Sequence, residues 1–180
     1  MPLPGEFPIA VVGAAPWLTR FHLPAIERLR DQTGMRVHGI WNRTKSKAEG
    51  IALEHGIPTV YSSLEELLSD EAVRGIVCVV HMSATYSLVR RCGTKGVPLL
   101  TEKPTAESTK DAYDLAESVH APAIVAYNRR YVPLHQEFRR RVRSLETIDH
   151  VECNFFRRGR DFANFVTASG IHGIDFLQYL

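Results

Sequence analysis

FPIAVVGAAPWLTRFHLPAI, residues 7–26, runs from a short apolar strand through a turn into an amphipathic helix. Phe7 to Val12 carries no charge, as a parallel strand covered on both faces requires. Leu23, Ile26 and Leu29 then recur on one face of a helix expected over Phe21 to Arg30. Gly13 ends the strand where, in a β-α-β unit, a dinucleotide's pyrophosphate would meet a helix N-terminus. The full fingerprint is G-x-G-x-x-G, and only its first glycine is present, with Ala15 at the second position and Leu18 at the third. Taken alone, the turn reads equally as a nucleotide loop or as an ordinary strand-helix connection. Gly13, Ala15, Trp17 and Leu18 are its candidate cofactor contacts.

Outward from this unit the same alternation repeats. Strands are expected at Met35 to Trp41, Thr59 to Tyr61, Gly75 to Val80, Val97 to Thr101 and Ala123 to Tyr127. Helices are expected at Lys45 to His55, after Ser63 (whose capping box Glu66 completes), at Ala84 to Thr94 with Gly96 as C-cap, and at Ser108 to Val119. The fold class is α/β, a doubly wound parallel Rossmann sheet over residues 1–127. Leu134 to Val142 gives a connecting helix within residues 128–145. The pattern then changes to an extended run, Ile148 to Phe156, a polar loop, Arg157 to Phe165, and a helix, Gly170 to Leu180. Residues 146–180 read as the beginning of a second α/β domain. A lone strand and helix cannot cover each other's apolar surface, so we expect a truncated domain or one completed by another chain.

Composition agrees with a globular chain: of 180 residues, 44% are hydrophobic and 23% charged. Lys and Arg number 22 against 20 Asp and Glu, too even a balance for a nucleic-acid partner to be expected. The excess lies after Tyr127, in the runs Arg139 to Arg141 and Arg157 to Arg160; Arg157 or Arg160 could meet an anionic substrate. Three cysteines without C-x-x-C spacing suggest a reducing, cytoplasmic setting. Pro2, Pro4 and Glu6 stand where a signal peptide needs basic and apolar residues, and no apolar run approaches the ~18 residues of a membrane span. The eight His are dispersed, so no metal site is expected.

The second strand ends in Trp41-Asn42-Arg43-Thr44-Lys45-Ser46-Lys47. A carboxylate here would accept from the ribose hydroxyls of NAD. Asn42 stands in its place, and Arg43, Lys45 and Lys47 add positive charge beside it, so NADP(H) is preferred, with NAD(H) possible. A charge-assisted bond to the 2′-phosphate contributes ~1.5–3 kcal/mol, roughly ten- to a hundredfold in affinity.

Leu99-Leu100-Thr101-Glu102-Lys103-Pro104 then delivers an E-K-P tripeptide at a strand end. With HLPAI after the first turn, SLEELLSDEAV before the fourth strand, YNRRYVPLH at the domain exit and the G-x-H-x-x-D of Gly170 to Asp175, the chain resembles the Gfo/Idh/MocA family of NAD(P)-dependent oxidoreductases. The resemblance covers essentially the whole chain. It implies an N-terminal Rossmann domain joined to a C-terminal α/β domain that often forms the subunit interface, hence a homo-oligomer if that domain is complete. It also implies that Lys103 lies near the nicotinamide and the reacting carbon, that His172 gives or takes the proton, and that Glu102 lies beside the cofactor.

Two departures stand out. Many family members carry an Asp four residues before the His, and here that position is Ala168. After the fourth strand this chain has His81-Met82-Ser83-Ala84-Thr85, from which His81 could still approach the cofactor. Asp175, one turn beyond His172, is a candidate substrate-hydroxyl acceptor, and Asn128 and Arg130 at the last Rossmann strand's exit are candidate substrate contacts. The expected function is hydride transfer between nicotinamide and a hydroxyl/carbonyl carbon of a sugar, cyclitol or related small molecule. The alternative is a non-catalytic NAD(P)-binding regulatory or partner protein of the same fold.

Overall fold

The computed structural model describes residues 5–154, 156, 158–159 and 165–180. The chain divides into two units, Met1–Val125 and Ala126–Leu180. In the first, six parallel strands are ordered β3-β2-β1-β4-β5-β6. They are β1 (Phe7–Val12), β2 (Met35–Trp41), β3 (Thr59–Val60), β4 (Gly75–Cys78), β5 (Leu99–Thr101) and β6 (Ala123–Val125). The chain builds outward from β1 through β3, then returns to lay β4 against the other side of β1. That reversal opens a crevice at the carboxyl ends of β1 and β4, where doubly wound sheets bind their ligands.

Helices α1 (Leu23–Thr33), α2 (Lys45–His55), α3 (Leu64–Ser69), α4 (Met82–Gly93) and α5 (Thr109–Ser118) cover both faces. The apolar alternation along β1 assigns the faces: Ile9 and Val11 pack with Leu23 and Ile26 of α1 and Ala48 and Ala52 of α2. Ala10 and Val12 pack with Leu64 and Leu67 of α3, Val89 and Cys92 of α4 and Leu115 of α5. The expected capping box is formed, Glu66 N–H donating to Ser63 Oγ at 3.0 Å and the Glu66 carboxylate accepting from the backbone N–H groups of Ser62, at 2.6 Å, and Ser63. Buried Cys78 lies beside buried Cys92; the hydrogen bond between them, then burial, holds the Cys78 thiol up and unreactive.

β1 and β2 pair from Phe7 with Met35 to Ile9 with Val37, then resume at Ala10 with Gly39. His38 is thus one extra residue on β2, a bulge. Its Nε2 lies 3.1 Å from Asp70 Oδ2, which also accepts from the Tyr61 hydroxyl at 2.7 Å.

Several boundaries differ from the sequence reading. A π-helical turn, Leu18–His22, precedes α1. β4 stops at Cys78, although Val79 N–H still donates to Val12 O at 2.8 Å. α4 starts at Met82 because His81 caps it, Nδ1 accepting from Ser83 N–H.

The second unit contains a 3-10 turn, Asn128–Tyr131, then α6 (Pro133–Val142), a π-helical turn, Val166–Gly170, and α7 (Ile171–Tyr179). Among the described residues of Ile148 to Phe156 there is no strand, which corrects the extended reading. Alternating side chains favour a strand only where another strand accepts its hydrogen bonds, and none is present there among the described residues. Phe155, within that run, lies outside the described residues, as do Arg157 and Arg160. Amides of residues 148–154 should therefore exchange orders of magnitude faster than those of Ile76 to Cys78 in this 180-residue chain. Equal protection in a demonstrated monomer, read by hydrogen-exchange NMR, would show an ordering contact that this fold lacks.

Candidate functional site

The crevice holds a cleft of about 640 Å³, within the range of cofactor pockets. Its floor is the loop after β1, Gly13, Ala14, Ala15 and Pro16. The end of β2 supplies Trp41, Asn42, Arg43, Thr44 and Lys47, and the β4–α4 side supplies Val80, His81, Ala84, Ser87, Leu88 and Arg91. Gly13 is demanded by this geometry. Its φ is +111°, and a Cβ there would lie 2.1 Å from the Val79 carbonyl oxygen. The close approach serves the packing of β1 on β4 before it serves any ligand.

Among the predicted cofactor contacts, Gly13, Ala15, Asn42, Arg43 and His81 line the cleft. Asn42 Nδ2 donates to Thr44 O at 2.9 Å, which fixes the amide at the head of α2. No acidic residue lines the cleft among the described residues, while Arg43, Lys47 and Arg91, the last ion-paired with Glu65, are its cations. Leu18 is a correction: its side chain is fully buried in the core beneath α1, and its N–H donates to Ala15 O. An apolar side chain at that position gains more from the core than from a polar cleft. Lys45 lies outside the cleft lining, its ammonium 3.7 Å from Glu49 one turn along α2, whereas Lys47, expected beside it, lines the cleft. Trp17 is half exposed and packs against Phe21, outside the cleft lining. Ser87 and Arg91 escaped the sequence reading, although the i, i+4, i+7 spacing of Ala84, Leu88 and Arg91 marks one face of α4.

Glu102 and Lys103 leave β5, both half-buried, and the Lys103–Pro104 peptide bond is cis. Glu102 N–H donates to Cys78 O at 3.2 Å, carrying the β4–β5 ladder one residue past the strand. His172 belongs to the other unit, half-buried in the first turn of α7. Asp175, in the same helix, is 5% exposed and bound by Arg130. Arg130 Nε donates to both carboxylate oxygens at 3.1 and 3.0 Å, and its terminal nitrogen donates to Oδ1 at 2.5 Å. The Arg130 guanidinium also faces the Tyr127 and Tyr179 rings, and Asp175 raises its pKa further. This corrects Asp175 as a substrate-hydroxyl acceptor, because a buried carboxylate needs an internal counter-charge. Asn128 is exposed. The cations of α6 and its C-cap, Arg143, are likewise engaged. Arg140 and Arg141 hold Glu137, whose carboxyl falls to about 2, and Arg139 and Arg143 donate to the carbonyls of Tyr179 and Leu180.

Residues 7–127 match the Gfo/Idh/MocA model, described as an oxidoreductase family with an NAD-binding Rossmann fold. The chain belongs to the Gfo/Idh/MocA family. This family member is 27% identical over 158 residues to D-xylose 1-dehydrogenase (NADP(+)) 2 of Haloferax volcanii, covering 86% of the chain and 47% of the relative. It is 24% identical over 159 residues to scyllo-inositol 2-dehydrogenase (NAD(+)) of Bacillus subtilis, with 82% and 46% covered. Among solved structures, myo-inositol dehydrogenase from Lactobacillus casei, in complex with NAD(H) and myo-inositol, superposes with a TM-score of 0.78. That likeness covers 97% of this chain and 54% of the other at 19% identity, and shows the shared fold. The Gfo/Idh/MocA chain thus spans about half the length of these curated relatives, and its first unit is an NAD(P)-binding Rossmann domain. Among the described residues, no group of three or more His, Cys, Asp or Glu could hold a metal ion, and no helix is long and apolar enough to cross a membrane.

Proposed function

We propose that this chain carries the nucleotide-binding half of an NADP(H)-preferring oxidoreductase. Its reaction moves a hydride between nicotinamide and a hydroxyl/carbonyl carbon of a sugar, cyclitol or related small molecule. The observation that carries the cofactor preference is the cleft edge where Asn42, Arg43 and Lys47 stand without a carboxylate among the described lining residues. The relatives named for xylose and inositol support the substrate class. In this reading bound nicotinamide supplies or accepts the hydride. Lys103 donates a hydrogen bond to the substrate oxygen, and His172 moves the proton on or off it. Residues 1–127 form the cofactor domain, residues 128–145 the connection, and residues 146–180 the start of a substrate and oligomerisation domain that makes the whole protein a homo-oligomer. Three free thiols accord with a cytoplasmic setting. No nucleic-acid or membrane partner enters this reading.

Trp41 lines the cleft and gives an optical reporter for titration. NADPH should bind about tenfold more tightly than NADH, and the double variant N42D/R43A should reverse the order. Equal or stronger NADH binding by the unmodified protein overturns the preference. The loop's Ala15 and the replacement at Ala168 favour a second, binding-only reading, which tight nucleotide binding without turnover on a sugar and cyclitol panel would establish.

A further inference from the structure

The Glu102 carboxylate is shared between two partners. Oε1 accepts from His22 Nε2 at 2.8 Å, and Oε2 accepts from the backbone N–H of Lys103 at 3.3 Å. A carboxylate only accepts, so the imidazole presents its proton on Nε2. Both His22 and Glu102 side chains are 16% exposed, whereas an ordinary surface pair of the same unit, Arg30 with Glu27, is 57% and 75% exposed. Burial changes the meaning of the contact. An exposed pair exchanges water for a neighbour at little gain, but a carboxylate largely withdrawn from water depends on the donors that remain.

His22 has no other evident task. It occupies the N-cap position of α1, yet its backbone is helical and its side chain makes no capping bond. It is the last residue of the turn Leu18–His22, which follows the loop lining the cofactor cleft. Glu102 lies 80 residues away at the exit of β5, and β4 stands between β1 and β5 in the sheet. The bridge therefore joins the turn leaving β1 to the loop leaving β5, across the crevice where the strand order reverses. Glu102 is held a second time by its own N–H, which donates to Cys78 O of β4. With backbone and side chain both anchored, its second carboxylate oxygen has one orientation, and that oxygen meets the Lys103 N–H.

We propose that His22 is a positioning residue that, through Glu102, sets the backbone from which the Lys103 side chain projects. The consequence for turnover rests on the reading of Lys103 as the group beside the nicotinamide. The bridge itself does not. Hydride transfer tolerates little misplacement, because hydrogen bonds to developing charge act only at close range. His22 thus acts on the rate without touching cofactor or substrate, and a side chain of similar reach with one N–H donor can replace it. Gln fits, its amide nitrogen standing about as far from Cβ as imidazole Nε2.

Amide exchange at Lys103, followed by NMR in the parent, H22A, H22Q, E102A and E102Q proteins, tests the bridge without requiring turnover. H22A and E102A should speed Lys103 exchange at least ~10-fold with Ile76 to Cys78 unchanged, and H22Q should return it to within about threefold of the parent. E102Q keeps an acceptor, should fall between, and reads the bridge from its other end if H22A does not fold. In turnover assays H22A should lower kcat about tenfold at constant nucleotide KM, with H22Q recovering most of the loss. Unchanged Lys103 exchange in H22A, an H22Q protein no better than H22A, or faster exchange with parental kcat would each overturn the proposal. A parent that binds no nicotinamide nucleotide would defeat the functional reading instead, and the exchange rates would still decide the bridge.

Discussion

Gly13→Ala should destabilise the first unit by about 3 kcal/mol or more, the largest single effect on folding expected in this chain. Two costs coincide. The residue sits at φ +111°, where a Cβ is strained, and that Cβ would stand 2.1 Å from Val79 O and 2.7 Å from Val80 Cγ1. Side chains can swing aside, but the Val79 carbonyl belongs to the segment leaving β4. Moving it pulls on the neighbouring 2.8 Å bond from Val79 N–H to Val12 O. Both tryptophans of the chain, Trp17 and Trp41, lie in this unit, so their fluorescence reports its unfolding in urea without a signal from the other. Gly50→Ala is the matched control. Gly50 lies inside α2 with open space where its Cβ would go, and alanine there should stabilise by up to about 1 kcal/mol. An unchanged midpoint for Gly13→Ala would mean that β1 and β4 are held less closely than described.

The second large effect is chemical. Lys103→Met and His172→Ala should each lower kcat of the enzyme at least ~10²-fold and leave nucleotide affinity nearly intact. Methionine keeps the length of the lysine stem and removes the ammonium, so packing changes little while the donor proposed for the substrate oxygen is removed. A parental rate in His172→Ala would move the proton step to water or to another residue. A tenfold loss of nucleotide affinity in Lys103→Met would make Lys103 a binding group rather than one that acts on the reacting oxygen.

The elements most legible in the sequence are those whose partners are near in sequence or whose burial is uniform. β1, β2 and α2 match their expected limits because Phe7 to Val12 is apolar throughout and because Gly56, at φ +64°, closes α2 as a C-cap. Boundaries moved where a side chain performed an unexpected local task, as His81 does in starting α4 at Met82. Pairings between distant residues were invisible. Arg130 and Asp175 each have the character of a ligand contact, and nothing in the 45 positions separating them announces that they satisfy one another. His22 and Glu102 are further apart still. Lys45 was a different kind of miss, since Glu49 four residues on already offered it a helical partner. The cleft's position and its cations Arg43 and Lys47 followed from the sequence, whereas the approach of Arg91 required the three-dimensional course of α4.

The extra residue in β2 has an effect on parity. Side chains of a strand alternate, and an unbroken β2 would point all odd-numbered residues one way. Met35 and Val37 pack with Ile9 and Val11, on the side of α1 and α2; beyond His38, Ile40 takes that side. Trp41, which an unbroken count would place with Met35 and Val37, packs on the opposite side, with Ala10, Val12 and the apolar residues of α3 and α4. One inserted residue has thus exchanged odd for even. A β2 that kept His38 in regular alternation would have the same sequence yet swap Ile40 with Trp41, turning the indole out of the layer from which it reaches the cleft. Setting His38 aside from the alternation is what keeps the indole on the side of the cleft.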